Sequence, residues 1–496
     1  MPTRLLELAP GDSHPKVKIM NTAQMKMGHV PYVTLSHCWG STLIARLVRS
    51  LVEEYSLNIP WASLPQKLQA AIITVLKLEL QYLWIDALCI IQDDNDDWTY
   101  EAARMAEVYS NSYLNIAADA SRDSTGGLFR QRDPKPLRSF IVPQKEGVVD
   151  SRRFVFYTDK WELSVNRSPL ARRAWTVQEK YLARRVLHFA EEEVHWECME
   201  LFTAECLPLL FNSVPENNSI VRKSLPHANL PPRQRTQAIY RIWYQLVSSY
   251  ASGALTVTSD RPIAIAGLAR IFCHLLELPE SDYLCGMWRP RLQHDLMWQK
   301  RTDWGMHHEV LRLTNLPSWS WLSLCAGIWI YPSHEDEDID TSNLITAEVV
   351  EASTSPCRDA FGSVSSGRVI LRAPLCQVTI RKGDVPFYRN HKVNSRVVGV
   401  SGSLLREEEH FVLCLDDTTA IGVRRILDTT VYLMLGRAST SQSVDCLSDK
   451  ALPRSEDQSW YNTSPRGSHS ILKTTSTKLS LLEGWAYECL ILKETA

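Results

Sequence analysis

Two short stretches put acidic side chains where chemistry could use them. Tyr82-Leu-Trp-Ile-Asp-Ala-Leu-Cys-Ile-Ile-Gln92 is almost wholly apolar apart from Asp86. The run is too continuous for a half-exposed strand and too short for a membrane span, so it reads as a buried strand and its exit. A lone buried carboxylate is costly unless it is hydrogen-bonded or stands where the strand opens into a crevice. In an open α/β sheet that crevice is where ligands bind. The second stretch, Arg173-Ala-Trp-Thr-Val-Gln-Glu179, spaces Trp175 and Glu179 so that on a helix the indole and the carboxylate share one face. Such a pair can stack a flat heterocycle while holding a sugar hydroxyl or an incipient cation. The same pattern also fits a core tryptophan with Glu179 paired to Arg172 or Arg173.

Other constellations fall short of a site. Asp93, Asn95 and Asp97 alternate like the start of a calcium loop, but Trp98 stands where glycine is needed and Arg104 where glutamate is needed. His195 and Cys198, near His188 and Cys206, fall on opposite faces of a strand, which argues against zinc, and no metal is expected. Cys89 lies among Leu88, Ile90 and Ile91, where a thiol is inert. Ser36 and His37 are adjacent, no GxSxG elbow accompanies them, and no Gly-rich phosphate loop occurs, so neither a hydrolase triad nor a bound nucleotide cofactor is expected. The acidic runs at 335–340 and 407–409 read as solvated faces.

These residues need elements to hold them. Residues 32–40 read as a first strand, with Val33 and Leu35 on one face and Ser36 and His37 at its exit before a turn at Gly40. Ser63-Leu-Pro-Gln66 has capping-box spacing, and Leu68, Ile72, Val75 and Leu76 make an apolar stripe, predicting a helix over about 64–79. The Asp86 strand completes β-α-β. After a polar loop at 93–97, a helix from near Thr99 carries Ala102, Ala106 and Tyr109 on one side, and residues 113–117 supply another strand. Residues 154–157 look like a strand, and Ser168-Pro169 opens a helix through about Leu182. Residues 184–189 and 194–198 read as a hairpin with Val194, Trp196 and Cys198 facing inward. Strands alternating with helices predict a parallel, helix-covered sheet.

Further along, 208–235 reads as a linker or lid, followed by helices over about 236–250 and 262–276. Trp-rich stretches at 281–298 and 317–321 would close a core. From about 345 short alternating runs predict a β-rich C-terminal region, in which 439–478, rich in Ser and Thr, is expected to be a disordered insertion.

Composition limits the function classes. With 496 residues and 45% apolar content, the chain can build two or three ordinary cores. A net charge of −2 leaves no basic footprint for nucleic acid. Glu7 and Pro10 interrupt any leader-like h-region and no long apolar run follows, so neither secretion nor membrane insertion is expected. Twelve cysteines spread from Cys38 to Cys489 without CxxC pairs point to a reducing, cytoplasmic setting.

Leu35-Ser-His-Cys-Trp-Gly40, Leu83–Gln92 and Arg173–Glu179, in this order, resemble the three signature blocks of the HET (heterokaryon incompatibility) domain of filamentous fungi. The likeness covers about residues 30–200, and Asp260-Arg261, 283–288 and 317–321 resemble the usual continuation. His37 stands where the family often has tyrosine. The resemblance implies a cytosolic protein of non-self recognition and programmed cell death. HET domains are thought to be distant relatives of TIR domains, and Trp175-x3-Glu179 has the spacing of the TIR block whose glutamate is catalytic in NAD-hydrolysing members. On that resemblance the fold expected is a flavodoxin/TIR-like parallel sheet domain (1–205), followed by a helical, Trp-rich continuation (206–330) and the β-rich region (331–496). Glu179, Asp86 and Ser36 would be catalytic, and Trp175, His37, Trp39, Arg173 and Gln178 would bind substrate, with NAD as that substrate. Self-association or a partner incompatibility protein is implied as well. Two other readings remain open: a signalling adaptor without enzymatic activity, and an enzyme adapted to a tailoring step of fungal secondary metabolism.

Overall fold

The computed structural model describes residues 1–24, 30–40, 45–132, 161–199, 201–205, 230–296, 298–301, 311–330, 348–372, 375–380, 393–401, 410–413, 429–440, 473–480 and 485–492. Two compact units result, one made of Met1–Ile242, Gly253–Thr256 and Ile263–Ile271, the other of Trp243–Ser252, Val257–Pro262 and Phe272–Ala496.

The first unit is α/β. Its sheet holds β1 (Arg4–Ala9), β2 (Lys16–Asn21), β3 (Val33–Ser36), β4 (Tyr82–Trp84), β5 (Leu114–Ala117), β6 (Arg185–Phe189), β7 (Val194–Cys198) and β8 (Phe202–Ala204), in the order β2-β1-β4-β3-β5-β6-β7-β8. The central strands β4, β3, β5 and β6 pair in parallel. Both flanks are antiparallel, so the sheet is mixed where the sequence predicted a parallel one. Short connections explain the β1–β2, β6–β7 and β7–β8 pairs, since a chain that turns back within a few residues can only pair antiparallel. The N-terminal pair escaped the sequence reading although Val17 and Ile19 alternate with Lys16 and Lys18, the pattern of a strand with one buried face.

Helices α1 (Val52–Leu57), α2 (Gln66–Lys77), the single turn α3 (Asp86–Cys89), α4 (Asn95–Ser110) and α5 (Trp175–Leu182) belong to the unit, with parts of the helices Pro232–Ala251 and Arg261–Leu275. Because β4 and β5 lie on either side of β3, right-handed crossovers put α2 and α4 on opposite faces of the sheet. The chain thus diverges at the carboxyl end of β3, where open α/β sheets form their crevice. Leu35, Leu83, Ile116 and other fully buried apolar residues from both layers make one continuous core.

Several local expectations are corrected. The capping box is absent: Pro65 occupies the N-cap of α2 without a side-chain bond, and Ser63 closes the preceding 3₁₀ turn by donating to the Pro60 carbonyl. The "polar loop" at 93–97 is a helix start, since the Asp94 carboxylate accepts from the Asp96 and Asp97 N–H groups and α4 begins at Asn95. The helix expected over 168–182 is broken. Leu170–Arg172 is a 3₁₀ turn, Arg173 is extended at φ −92 and ψ 130, and α5 starts at Trp175. The break serves a backbone bridge in which Ala174 N–H donates to the Ala254 carbonyl and Ala254 N–H to that of Arg172. Gly253 permits it, because a Cβ there would stand 2.6 Å from the Ala174 backbone. On β7 Val194 and Trp196 pack, partly buried, against the core as expected, but the most buried side chains are His195 and Glu197 on the other face, so both faces of that strand are covered. The strand expected at 154–157 lies outside the described residues.

The second unit holds Trp288, Trp298 and Trp321 fully buried, as the Trp-rich stretches led us to expect. Its C-terminal part pairs Glu348–Pro356 with Val364–Arg372. It also forms a six-stranded antiparallel sheet in the order His410–Leu413, Val393–Ser401, Leu375–Ile380, Thr429–Thr440, Trp485–Leu492, Lys473–Ser480. Both ends of the insertion expected over 439–478 are therefore strand, and its middle, 441–472, lies outside the described residues.

Candidate functional site

Side chains from β3, β5, α3, α4 and α5 converge where β3 ends. Ser36 is the last residue of β3, His37 and Trp39 follow it, and Asp86 begins α3 two residues after β4. Asn115 comes from β5 and Tyr109 from α4, which packs against α5, the helix bearing Glu179.

Asp86 is fixed by three donors. Its Oδ1 accepts from the Ala87 N–H at 2.8 Å and lies 3.1 Å from His37 Nε2, while Oδ2 accepts from the Trp39 indole N–H at 3.0 Å. Burial would raise its pKa, but the His37 bond, the Arg173 charge and the Ala87 N–H outweigh burial and hold the carboxyl below its ordinary range. His37, only 1% exposed, is pushed the other way: burial lowers its pKa more than Asp86 raises it. A neutral ring donating from Nε2 leaves Nδ1 as an acceptor, and that atom is buried without a partner. His37 thus orients Asp86 from behind.

Glu179 has the opposite environment. It is 3% exposed, and burial pushes its pKa to about 7, with the Asp86 charge adding to the rise. The Arg173 charge and hydrogen bonds from Ser36 and Tyr109 counteract only part of it. Among the described residues Oε2 has no hydrogen-bond partner. Two carboxylates within reach of each other's field are therefore driven apart, Asp86 ionised and Glu179 poised near neutrality, which is how one site can hold an acid and a base together.

Asn115 sets the hydroxyl. Its Oδ1 accepts from Thr34 at 3.0 Å and its Nδ2 donates to Ser36 Oγ at 3.0 Å. With that nitrogen on its oxygen, Ser36 keeps its own proton for Glu179, although Asn115 Oδ1 competes at 3.2 Å. Arg173 donates to the His37 carbonyl, and Lys67, fully buried, donates to the next carbonyl, Cys38, at 2.9 Å. Two cations thus pin the segment leaving β3. Burial lowers the Lys67 pKa to about 8.

Of the eight residues proposed from sequence, Ser36, His37, Trp39, Asp86, Arg173 and Glu179 meet here. Trp175 is half-buried against the core on the Glu179 face of α5. Gln178 is turned away, packed where a Cβ on Gly267 would stand 2.5 Å from its Oε1. Sequence reasoning missed Tyr109, Asn115 and Lys67. It also missed a second network nearby, in which Asp119 accepts from Lys180 Nζ at 2.8 Å and Ser168 Oγ at 3.0 Å and meets His188 Nδ1 at 2.7 Å. His188 Nε2 lies 3.4 Å from Glu197. Burial opposes the Asp119 charge, but Lys180 and His188 prevail and hold its carboxyl below its ordinary range. Asn115 and Asp119 carried the signal that singled out Asp86, a lone polar residue in or just after an apolar strand. Tyr109 and Lys67 were hidden inside helical stripes. Among the described residues no cluster of His, Cys, Asp and Glu is arranged to hold a metal ion.

Residues 32–179 match the family model described as heterokaryon incompatibility protein (HET). Heterokaryon incompatibility protein 6, OR allele, of Neurospora crassa is 32% identical over 92 residues, which cover 16% of this chain. The match spans 13% of the length of that relative. No solved structure matches.

Proposed function

We propose that residues 32–179, which match the heterokaryon incompatibility (HET) family model, form a HET domain, and that the chain serves fungal non-self recognition by acting as a TIR-like NAD glycohydrolase whose activity leads to cell death. The observation that carries this reading is the unpartnered, buried Oε2 of Glu179 beside Ser36 and Tyr109, at the strand exits where the sheet diverges. The parallel strands run second, first, third, fourth in chain order, β4-β3-β5-β6, which agrees with the flavodoxin-type arrangement.

In the reaction the bond between the ribose C1′ and the nicotinamide nitrogen breaks, its electron pair leaves with nicotinamide, and positive charge develops over C1′ and the ring oxygen. Water then adds to C1′ and releases a proton. An ionised Glu179 would stabilise that charge or hold a ribose hydroxyl. Ser36 and Asp86 would position hydroxyls, and Trp39 and Trp175 would face the flat bases. Arg173 and His37 act as positioning groups. A cytoplasmic site of action and assembly with a second copy or an incompatibility partner belong to the same proposal.

The test incubates the purified full chain with NAD and measures free nicotinamide. Glu179→Gln should lower turnover by about 10²–10³, the cost typical of losing one charge-stabilising group, with the fold intact. Growth arrest on over-production that persists in Glu179→Gln without NAD loss would favour the adaptor reading. A chain with neither toxicity nor NAD loss would favour the tailoring reading.

A further inference from the structure

Among the described residues, the second unit buries a cation without an anion. Arg261, the first residue of helix Arg261–Leu275, is 3% exposed. Its Cζ lies 5.7 Å from the Tyr250 ring centroid and 5.8 Å from that of Trp321. The side chain makes one long hydrogen bond, Nη2 to the Ala326 carbonyl at 3.5 Å, and Nε is buried with no partner. A guanidinium has five donors, and a buried ion is ordinarily paired. The groups that could supply negative charge nearby are Tyr250 and Cys325, and burial raises the pKa of both, so at neutral pH they are uncharged. Asp260, adjacent in sequence, does not answer Arg261 either: burial alone shifts its carboxyl, up to about 6, and it makes no capping bond to the helix it precedes.

We propose that Arg261, flanked by Tyr250 and Trp321, is the anchor of a binding site for a small oxyanion ligand, a carboxylate or phosphate joined to a flat apolar body. The planar fork of a guanidinium matches either oxyanion through two parallel N–H···O bonds. The two rings stabilise the cation while the site is empty and offer apolar faces to the body of the ligand. Ala326 accepts from Arg261 and Cys325 lies within its field, and both are partly exposed, so a ligand would enter along that segment. Trp321 is held by its indole N–H on the Gly286 carbonyl at 2.9 Å, so the aromatic wall is rigid before a ligand arrives.

The test uses the full chain and two probes, inorganic phosphate and benzoate, each against chloride at matched ionic strength, reading melting temperature and tryptophan emission. A saturable rise in melting temperature with either oxyanion supports the site, and the stronger probe tells phosphate from carboxylate. Arg261→Lys keeps the charge without the fork and should weaken the apparent affinity at least tenfold. Arg261→Met removes the uncompensated charge and should abolish the response while melting no lower than the ligand-free parent. No oxyanion-specific rise in the parent overturns the proposal, as does a rise that survives in Arg261→Met. Should Arg261→Met fail to fold, an unchanged affinity in Arg261→Lys overturns it. NAD turnover enters none of these readouts, so the outcome is separate from that of the HET-domain site.

Discussion

Glu179 couples the chemistry of the candidate site to the stability of the protein. Its carboxyl titrates near 4.5 in the unfolded chain and near 7 in the folded one. Below pH 4.5 the group is protonated in both states and costs nothing. Between these values the unfolded chain ionises first, so stability falls as pH rises, and above 7 the loss is constant. The full difference corresponds to an upper limit of about 3–4 kcal/mol. Glu179→Gln should therefore melt with the parent near pH 4.5 and above it at pH 8, and equal melting temperatures at pH 8 would contradict the buried, poised carboxyl. If NAD turnover needs the ionised form, its rate should climb with pH to a plateau above about 7. A rate independent of pH between 5 and 8 would remove Glu179 from the chemistry.

At the scale of elements, what could be read from the sequence was what repeats locally. The apolar stripe of α2 and the hairpin of β6 and β7 follow from spacing alone. The break before α5 does not, because its cause, the backbone of Ala254, is far along the chain. Ser36, Asp86 and Glu179 could be singled out because a strand exit or a helix face marks them; the hydroxyl of Tyr109 could not, since a core aromatic and a site aromatic look alike in sequence. The break also yields a test. In Gly253→Ala the new methyl meets the Ala174 N and Cα at 2.6 Å, and backbone atoms cannot swing aside as a side chain tip can. The substitution should cost about 1–3 kcal/mol and reduce turnover through displacement of Arg173, measured by denaturant midpoint and nicotinamide release. An unaffected midpoint would show that the bridge tolerates an extra carbon.

For the molecule as a whole, the β-rich C-terminal region was foreseen from alternating runs, whereas its sheet order was not, since strand neighbours are set by long-range pairing. Residues 441–472, between strands Thr429–Thr440 and Lys473–Ser480, hold little apolar surface to offset the entropy of ordering. Replacing them with a short Gly/Ser linker should leave the melting temperature unchanged, and limited proteolysis should cut there first. A large drop in melting temperature would show that the segment packs on the fold.

The amide of Asn115 has a consequence beyond the hydroxyl it orients. β3 and β5 are buried along their whole length, so the inside-outside alternation that ordinarily tells one alignment of strands from its neighbour is missing. Asn115 stands opposite Thr34 in the ladder and bonds both Thr34 and Ser36. Slipped by one place, β5 would present Ile116 to those hydroxyls and strand the amide among hydrocarbon. One carboxamide thus acts as the key by which two otherwise greasy, interchangeable strands find their correct alignment, and the protein cannot discard it without also loosening the address at which Ser36 is delivered.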